Sequence, residues 1–275
     1  MEFACPYEKY DWSFLNNKAN KVLLNILEDW ENLLGETRTE ESYHRFIAEH
    51  AGFFLCDHET RFVAISKLRL GADHLIDFAV AEERRSKGLY WELIEIENPH
   101  TPPFIRRGVP SAKLTNAIQQ VLDWKRWLIE NRREAERLFP ADGVRTQKNP
   151  NFGYTIIIGT RMNTEKWVHK RNQLSEELGI EIRSFDYLAD AFRTHNFFDR
   201  AILASAEAKI LTDWQLNYLA NPFSMAYNDS IWREILKEIK PNGRHFVSLS
   251  AESLLLHQQY NKSRFSQFQH LVKSG

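Results

Sequence analysis

The spacing of hydrophobic positions changes along the chain from helical to strand-like. Residues 16–34 repeat apolar side chains every three or four positions, which predicts a helix that ends at Gly35. Residues 39–52 begin with four polar residues and continue with an apolar stripe, so a second helix is predicted there. The apolar residues 53–55 and 61–70 then predict a first strand.

Two central strands are predicted next, joined by a charged turn over 82–88 that ends in a glycine. The first strand, 75–80, is apolar except for Asp77. The second strand, 89–97, alternates aromatic and branched residues with acidic ones. Carboxylates in strands that are otherwise apolar are unusual, so this pair of strands is the first place to look for a functional site.

The remaining pattern completes an α/β domain. After a proline-rich loop over 98–110, Ser111 is a suitable N-cap for a long helix. The predicted elements are a helix over 112–138, a loop over 139–152, a strand over 154–158, a helix over 165–178 and a strand over 180–185. From residue 40 the order helix, strand, strand, strand, helix, strand, helix, strand predicts a mixed sheet, in which the strand–helix–strand unit forms a parallel pair.

The sequence pattern changes beyond residue 195. Helices are predicted there over 201–219, 230–239 and 248–269. These stretches are rich in Phe and Trp and carry no recognisable chemical motif. The pattern therefore divides the chain into an N-terminal helical segment (1–38), an α/β domain (39–193) and a helical C-terminal extension (194–275).

Charge is unevenly distributed, although the net charge is only −1. Residues 1–100 carry 11 basic and 19 acidic side chains, whereas residues 101–150 carry 10 basic and 5 acidic ones. A basic segment thus directly follows the acidic strand, and it could hold an anionic ligand beside a metal ion. A solvated helix face with ordinary ion pairs has the same composition.

Several classes of protein are disfavoured. The chain has no run of 18 apolar residues, its first residues lack the features of a signal peptide, and its two cysteines do not make a disulfide framework. We therefore expect a cytoplasmic protein without a membrane partner. The spacing around Cys56 and His58 fits no zinc motif, and neither a glycine-rich phosphate loop nor a Gly-x-Ser-x-Gly turn is present.

The acidic residues of the central strands predict a metal site. Glu95 and Glu97 lie two residues apart, so their side chains share one face of the strand while Ile96 faces the other way. A hairpin partner carrying Asp77 would add a third carboxylate. Such closely placed charges repel one another unless a cation lies between them. The alternative is a solvated sheet face that happens to be acidic.

The spacing of Asp77 and Glu95-Ile-Glu resembles the metal-binding motif of PD-(D/E)XK nucleases. Gln120 and Trp124 on the following helix resemble the Gln-x-x-x-Tyr element of RecB-like members. The predicted order of elements matches the αβββαβ core of the restriction-endonuclease-like fold. Six successive blocks are similar to the nuclease domain of the Shedu antiphage-defence family over residues 40–190: 41–50, 76–78, 90–99, 117–124, 154–159 and 181–188.

This resemblance implies a metal-dependent DNA endonuclease of prokaryotic antiphage defence that uses Mg²⁺, with Mn²⁺ as an alternative, and works as a homo-oligomer. Asp77 and Glu95 would be metal ligands, Gln120 would help to position the metal or the DNA backbone, and Glu41 would be a further catalytic acid. Glu40 is adjacent, so the register of that acid is open. Basic residues near the long helix would contact DNA, namely Lys113, Lys125, Arg126, Arg106 and Arg107.

The sequence departs from the family pattern at Glu97, where the family usually has Lys. A glutamate there is expected to act as a general base or to bind a second metal ion, and Lys113 is expected to supply the missing positive charge. Loss of catalysis with retention of the fold is the alternative, which would leave a module that binds nucleic acid or a partner protein. An unrelated α/β fold would instead place Asp77 and Glu95 far apart.

Overall fold

The structure is a computed structural model that describes residues 25–56, 61–84, 89–139, 150–194 and 226–238. In these residues a six-stranded mixed sheet lies between two layers of helices. None of the helices in these ranges has both the length and the apolar composition needed to cross a bilayer.

The strands follow the order β5-β4-β3-β2-β1-β6 across the sheet. Their bounds are β1 Arg61–Leu70, β2 His74–Glu83, β3 Leu89–Ile96, β4 Asn151–Ile157, β5 Glu181–Arg183 and β6 Tyr227–Asn228. The first three strands form an antiparallel meander. β4 pairs parallel to β3, β5 pairs parallel to β4, and β6 pairs parallel to β1.

Nine helices surround this sheet in the described ranges. They are α1 (25–35), α2 Glu40–Glu49, α3 Ala51–Phe54, α4 Ala112–Glu130, α5 Arg132–Leu138, α6 Arg161–Thr164, α7 Val168–Leu178, α8 Phe185–Arg193 and α9 Asp229–Glu238. Short 3₁₀ turns lie at Arg106–Gly108 and Glu165–Trp167.

Two hydrophobic cores form because both faces of the sheet are covered. The first core packs the sheet against α4 and includes Ile65, Leu68, Ile76, Leu93, Leu114, Val121 and Trp124. The second core packs the other face against α1, α2, α3 and α8 and includes Trp30, Tyr43, Ile47, Phe78, Ile94, Ile96 and Phe185. The central strands are therefore buried on both sides, and any charged residue within them needs a specific partner.

The predicted mixed α/β sheet, the three sequential strands and the parallel pair across α4 are all confirmed. Gly179 ends α7 in the left-handed conformation, with φ 59°. The helix predicted over 230–239 corresponds to α9. The predicted helices over 201–219 and 248–269, and the first part of the helix over 16–34, lie outside the described residues.

Three predictions of local structure are wrong. Residues 53–55 are helical or follow directly on the short helix α3, because an apolar run buried on all sides has the same pattern in either structure. The helix over 112–138 is interrupted at Asn131, whose side-chain amide donates to the Trp127 carbonyl at 3.0 Å. The strand predicted over 180–185 ends at Arg183, and Phe185 begins α8.

One strand of the sheet comes from the predicted C-terminal extension. Tyr227 and Asn228 form β6 beside β1, and the following helix places Trp232 against Trp91, with ring centroids 5.9 Å apart. Residues 226–238 thus contribute to the first core rather than lying apart from it. The division of the chain at residue 194 stays a prediction.

The N-cap of α4 offers a test of how the fold holds this helix. Ser111 is buried, and its hydroxyl accepts a hydrogen bond from the Leu114 amide at 3.2 Å. We expect Ser111→Ala to lower the free energy of unfolding by about 1 kcal/mol, because the amide loses its acceptor. Ser111→Asn keeps an acceptor and should stay closer to the wild type in urea unfolding. Equal stability of all three proteins would contradict this role.

Candidate metal centre

The site lies where β2 and β3 diverge. Their ladder runs from Glu83↔Leu89 to Phe78↔Ile94. Beyond the last pair, the Asp77 carboxylate takes the place of a backbone acceptor, since Asp77 Oδ2 accepts from the Ile96 amide at 2.8 Å. This hydrogen bond holds the carboxylate between the two strands and leaves Asp77 Oδ1 facing the space that opens there.

The opposite strand contributes a lysine that the sequence interpretation missed. Lys67 Nζ lies 2.6 Å from Asp77 Oδ1 and 3.7 Å from Glu41. The φ angle of Lys67 is 51°, in the left-handed region, although the residue lies in the middle of β1. This conformation costs on the order of 1–3 kcal/mol in a residue with a side chain.

Two glutamates at the end of β3 complete the acidic group. Glu95 is 6% exposed, and its Oε2 is buried without a hydrogen-bond partner. Glu97 follows the strand and is held by its own amide, which donates to the Ile157 carbonyl at 2.8 Å. Its carboxylate lies 3.1 Å from Lys113 at the start of α4. Ile96 packs in the second core.

The first turn of α2 brings Glu40, rather than Glu41, towards these carboxylates. Burial together with the charges of Glu97 and Asp77 raises the pKa of Glu40 to about 7. The side chain of Glu41 is 71% exposed, and its described contact is with Lys67 at the rim. The catalytic role of Glu41 stays a prediction, and Glu40 is the neighbour that the geometry favours.

Burial and mutual repulsion change how readily these carboxyl groups lose their protons. Burial, together with the charges of Asp77 and Glu97, raises the pKa of Glu95 to about 10. At an effective dielectric of 20, two unit charges 4 Å apart interact by about 4 kcal/mol. The acidic group therefore cannot hold all its negative charges at neutral pH without added positive charge, and Glu95 is the member that stays protonated.

Positive charge reaches the group from two sides. Contacts with Glu97 raise the pKa of Lys113, and salt bridging raises that of Lys67, although burial opposes this for Lys67. His44 lies beneath the site and donates from Nε2 to the Asp77 carbonyl at 3.3 Å. Its ring stacks on Phe78, and burial lowers its pKa, so it is a neutral support rather than a further cation.

The donor set suits a hard divalent cation, because carboxylate oxygens are the ligands that Mg²⁺ prefers. The unpartnered Oε2 of Glu95 is the strongest indication that this group of acids binds a ligand. In the present side-chain arrangement, no three His, Cys, Asp or Glu side chains in the described ranges are grouped closely enough to hold one ion. Lys67 occupies Asp77 Oδ1, so binding of an ion requires side chains to move.

The other predicted site residues lie around this group or away from it. Gln120 donates to the Leu75 carbonyl at 3.4 Å, next to β2, and has no contact with the three acids among the described residues. Lys125 is directed away, since its ammonium donates to the carbonyls of Leu178 and Gly179 at the end of α7. Burial lowers the pKa of Lys125.

The predicted arginines differ in whether their guanidinium groups form salt bridges. Arg126 forms a salt bridge with Asp123 on the same helix. Arg106 and Arg107 lie on the exposed 3₁₀ turn of the loop before α4, and neither forms a salt bridge within the described residues. Arg107 and the adjacent Gly108 both lie in the left-handed region, with φ angles of 64° and 72°. These two side chains are the most available to an external anion.

The chain matches a known protein family over more than half of its length. The model of the family described as Shedu protein SduA, C-terminal, matches residues 37–189. This range contains α2, the strands β1 to β5 and all the acidic residues of the site. Searches among curated proteins and among solved structures found no match.

The raised pKa of Glu95 predicts how stability depends on pH in metal-free buffer. A carboxyl group whose pKa is about 10 in the folded protein and near 4.5 in the unfolded chain binds its proton more tightly when folded. Its contribution to stability is therefore complete below pH 4.5 and is lost as the pH rises towards 10, by up to about 1.4 kcal/mol per pH unit.

Glu95→Gln keeps the shape and removes this titration. In urea unfolding, we expect the free energy of unfolding of the wild type to fall relative to that of the variant as the pH rises from 5 to 9. Glu130→Gln, on the exposed end of α4, controls for the loss of one carboxyl group. Parallel pH profiles of the wild type and Glu95→Gln would contradict the description of Glu95.

Proposed function

Because the chain belongs to the Shedu family, we propose that it is a metal-dependent DNA endonuclease of antiphage defence, built on a restriction-endonuclease-like αβββαβ core. The observation that carries the proposal is a buried Glu95 carboxyl group with an unpartnered oxygen, at a point where Asp77 and Glu97 approach it. A purely structural acid would be expected to have a hydrogen-bond donor there.

Asp77, Glu95 and Glu97 would hold Mg²⁺ or Mn²⁺. The ion, when bound, supplies positive charge to the phosphate and makes a bound water more acidic. The Ile96 amide orients Asp77 through Oδ2, which fixes where Oδ1 points. Glu97 is suited either to ligate or to accept a proton from water, because β4 fixes its backbone.

The reaction is hydrolysis of a phosphodiester. The oxygen of water forms a bond to phosphorus, and one P–O bond to a sugar breaks. The electron pair of that bond stays on the sugar oxygen, which takes up a proton, while the attacking water loses one. No oxidant, reductant or further substrate is needed.

DNA would approach from the side of the loop before α4. Arg106 and Arg107 are exposed there, and Lys113 lies between the loop and the acidic group. Arg126 lies farther along α4, where Asp123 partly offsets its charge. Contacts of this kind go to the phosphates, so we expect weak sequence preference and strong dependence on salt. Self-association stays a prediction.

The direct test removes the Asp77 carboxylate. In the presence of Mg²⁺ or Mn²⁺ the wild type should nick or cut plasmid DNA, and Asp77→Asn should be slower by at least about a hundredfold, because the metal loses a charged ligand. Asp73→Asn, in the exposed turn between β1 and β2, is the matched control and should cut normally. Equal cleavage by Asp77→Asn would remove this site assignment.

A second candidate function is a catalytically inactive module that binds nucleic acid or a partner protein. It is favoured by the present grouping of the side chains, in which Lys67 and Lys113 already neutralise part of the acidic group. Calorimetric titration with Mn²⁺ separates the two functions, because only the nuclease should bind the ion and lose affinity in Glu95→Gln.

The loop arginines give a test of DNA binding that does not depend on cleavage. In Ca²⁺, which is expected to support binding without cutting, the double variant Arg106→Gln/Arg107→Gln should bind DNA more weakly. The plot of log affinity against log salt should become less steep. The magnitude of its slope should decrease by roughly 2, about 0.9 for each lost phosphate contact. Arg161→Gln at the start of α6 provides a control on another surface. An unchanged slope would exclude these two contacts.

A further inference from the structure

We propose that Lys67 is a catalytic residue, whose ammonium donates a hydrogen bond to a non-bridging oxygen of the phosphate that is cleaved. This inference rests on the proposed phosphodiester hydrolysis and adds to it the group that contacts the reacting phosphate. It is carried by the position of Lys67 in β1, by its contact with Asp77 and by its partial exposure.

The backbone conformation at Lys67 directs its side chain towards Asp77 in the acidic group. The register pairs Ser66 with Phe78 and Leu68 with Ile76, so Lys67 lies opposite Asp77. Ile65 and Leu68 both pack in the first core although they are three residues apart. The strand therefore changes its alternation of faces at this point, where Lys67 takes its left-handed φ of 51°.

The strained conformation would be unnecessary for a lysine that only contributes surface charge. A glycine or asparagine would take it at lower cost, since the left-handed region is open to them. Lys67 pairs with the one Asp77 oxygen that is left free by the Ile96 amide. The ammonium is thus placed beside the carboxylate oxygen that would face both the ion and the substrate.

Lys67 has hydrogen-bonding capacity for a substrate. An ammonium carries three N–H donors, and in the described residues the hydrogen bond of Lys67 is to Asp77 alone. Its side chain is 35% exposed, so the group reaches solvent as well as the site. When an ion takes Asp77 Oδ1, the displaced ammonium of Lys67 would remain beside the site and donate to a phosphate oxygen, which stabilises charge in the transition state.

Lys113 is a weaker candidate for this role. Its side chain is 56% exposed and extends from the first turn of α4 to Glu97. The side chain of Lys67, in contrast, is 35% exposed and is held 2.6 Å from Asp77. A side chain that is less exposed and already held at the site loses less freedom when it binds a substrate. This difference assigns the phosphate contact to Lys67 and a DNA-binding role to Lys113.

The test compares Lys67→Met and Lys67→Ala with Arg69→Met, which removes a positive charge from an exposed position of the same strand. Lys67→Met should bind Mn²⁺ at least as tightly as the wild type, because Asp77 Oδ1 loses a competing partner. Its single-turnover cleavage should nevertheless fall by at least about a hundredfold. Arg69→Met should retain both Mn²⁺ binding and cleavage.

Chemical rescue distinguishes a direct contact from a structural one. Ethylammonium added to Lys67→Ala should restore cleavage in a saturable manner, since a small cation can occupy the vacated position, and it should have no effect on the wild type. Thermal unfolding of each variant checks that the fold is retained.

Normal cleavage by Lys67→Met with tighter Mn²⁺ binding would overturn the proposal and make Lys67 a mere counter-ion of Asp77. In that case the nuclease function would stand, since the wild type cuts. A wild type that neither binds Mn²⁺ nor cuts DNA would overturn both proposals together. Cleavage that is lost in Lys67→Ala and not rescued by the amine would also count against a direct phosphate contact.

Discussion

Several buried or partly buried carboxyl groups lie near one another in this protein, and their mutual repulsion is the constraint on which the site depends. β2 and β3 separate just where Asp77 and Glu95 lie, and α2 adds Glu40. Burial removes the water that would otherwise screen these charges. The chain responds in two ways, by keeping Glu95 protonated and by bringing Lys67 and Lys113 to the edges of the group. We propose that a divalent cation supplies the remaining positive charge.

The fold makes this arrangement possible because its two cores hold the surrounding elements firmly. The first core fixes α4 and hence Lys113, while the second core fixes α2 and hence Glu40. The strands between the cores carry the acids at the point where regular pairing ends. Function is thus proposed at a point in the central strands where a side chain, Asp77, replaces a backbone acceptor.

Much of the fold could be predicted from periodicity, since the strands of the sheet and α4 have distinct apolar patterns. The acids of the central strands stood out for the same reason. What the pattern could not give were features decided by tertiary contacts. Phe53 and Phe54 are buried in the second core as a helix, and Tyr227 joins the sheet from a distant part of the sequence. In neither case does the local sequence distinguish the observed secondary structure from another one.

Lys67 was missed for a different reason. A short turn over 71–73 joins β1 to β2 and pairs Leu70 with His74, and this register places Lys67 opposite Asp77. The hairpin could have been inferred from that turn, but the left-handed backbone at Lys67 could not, because nothing in a lysine favours it. Choosing between Glu40 and Glu41 likewise required knowledge of how α2 is rotated about its axis.

The most direct measurement of the central claim is proton release on Mn²⁺ binding, obtained by calorimetry at pH 8 in buffers of different ionisation enthalpy. A carboxyl group with a pKa of about 10 must lose its proton when it becomes a metal ligand. The account predicts that roughly one proton leaves for each ion bound by the wild type, and that Glu95→Gln releases fewer. Tight binding without proton release, or the same release from both proteins, would contradict it.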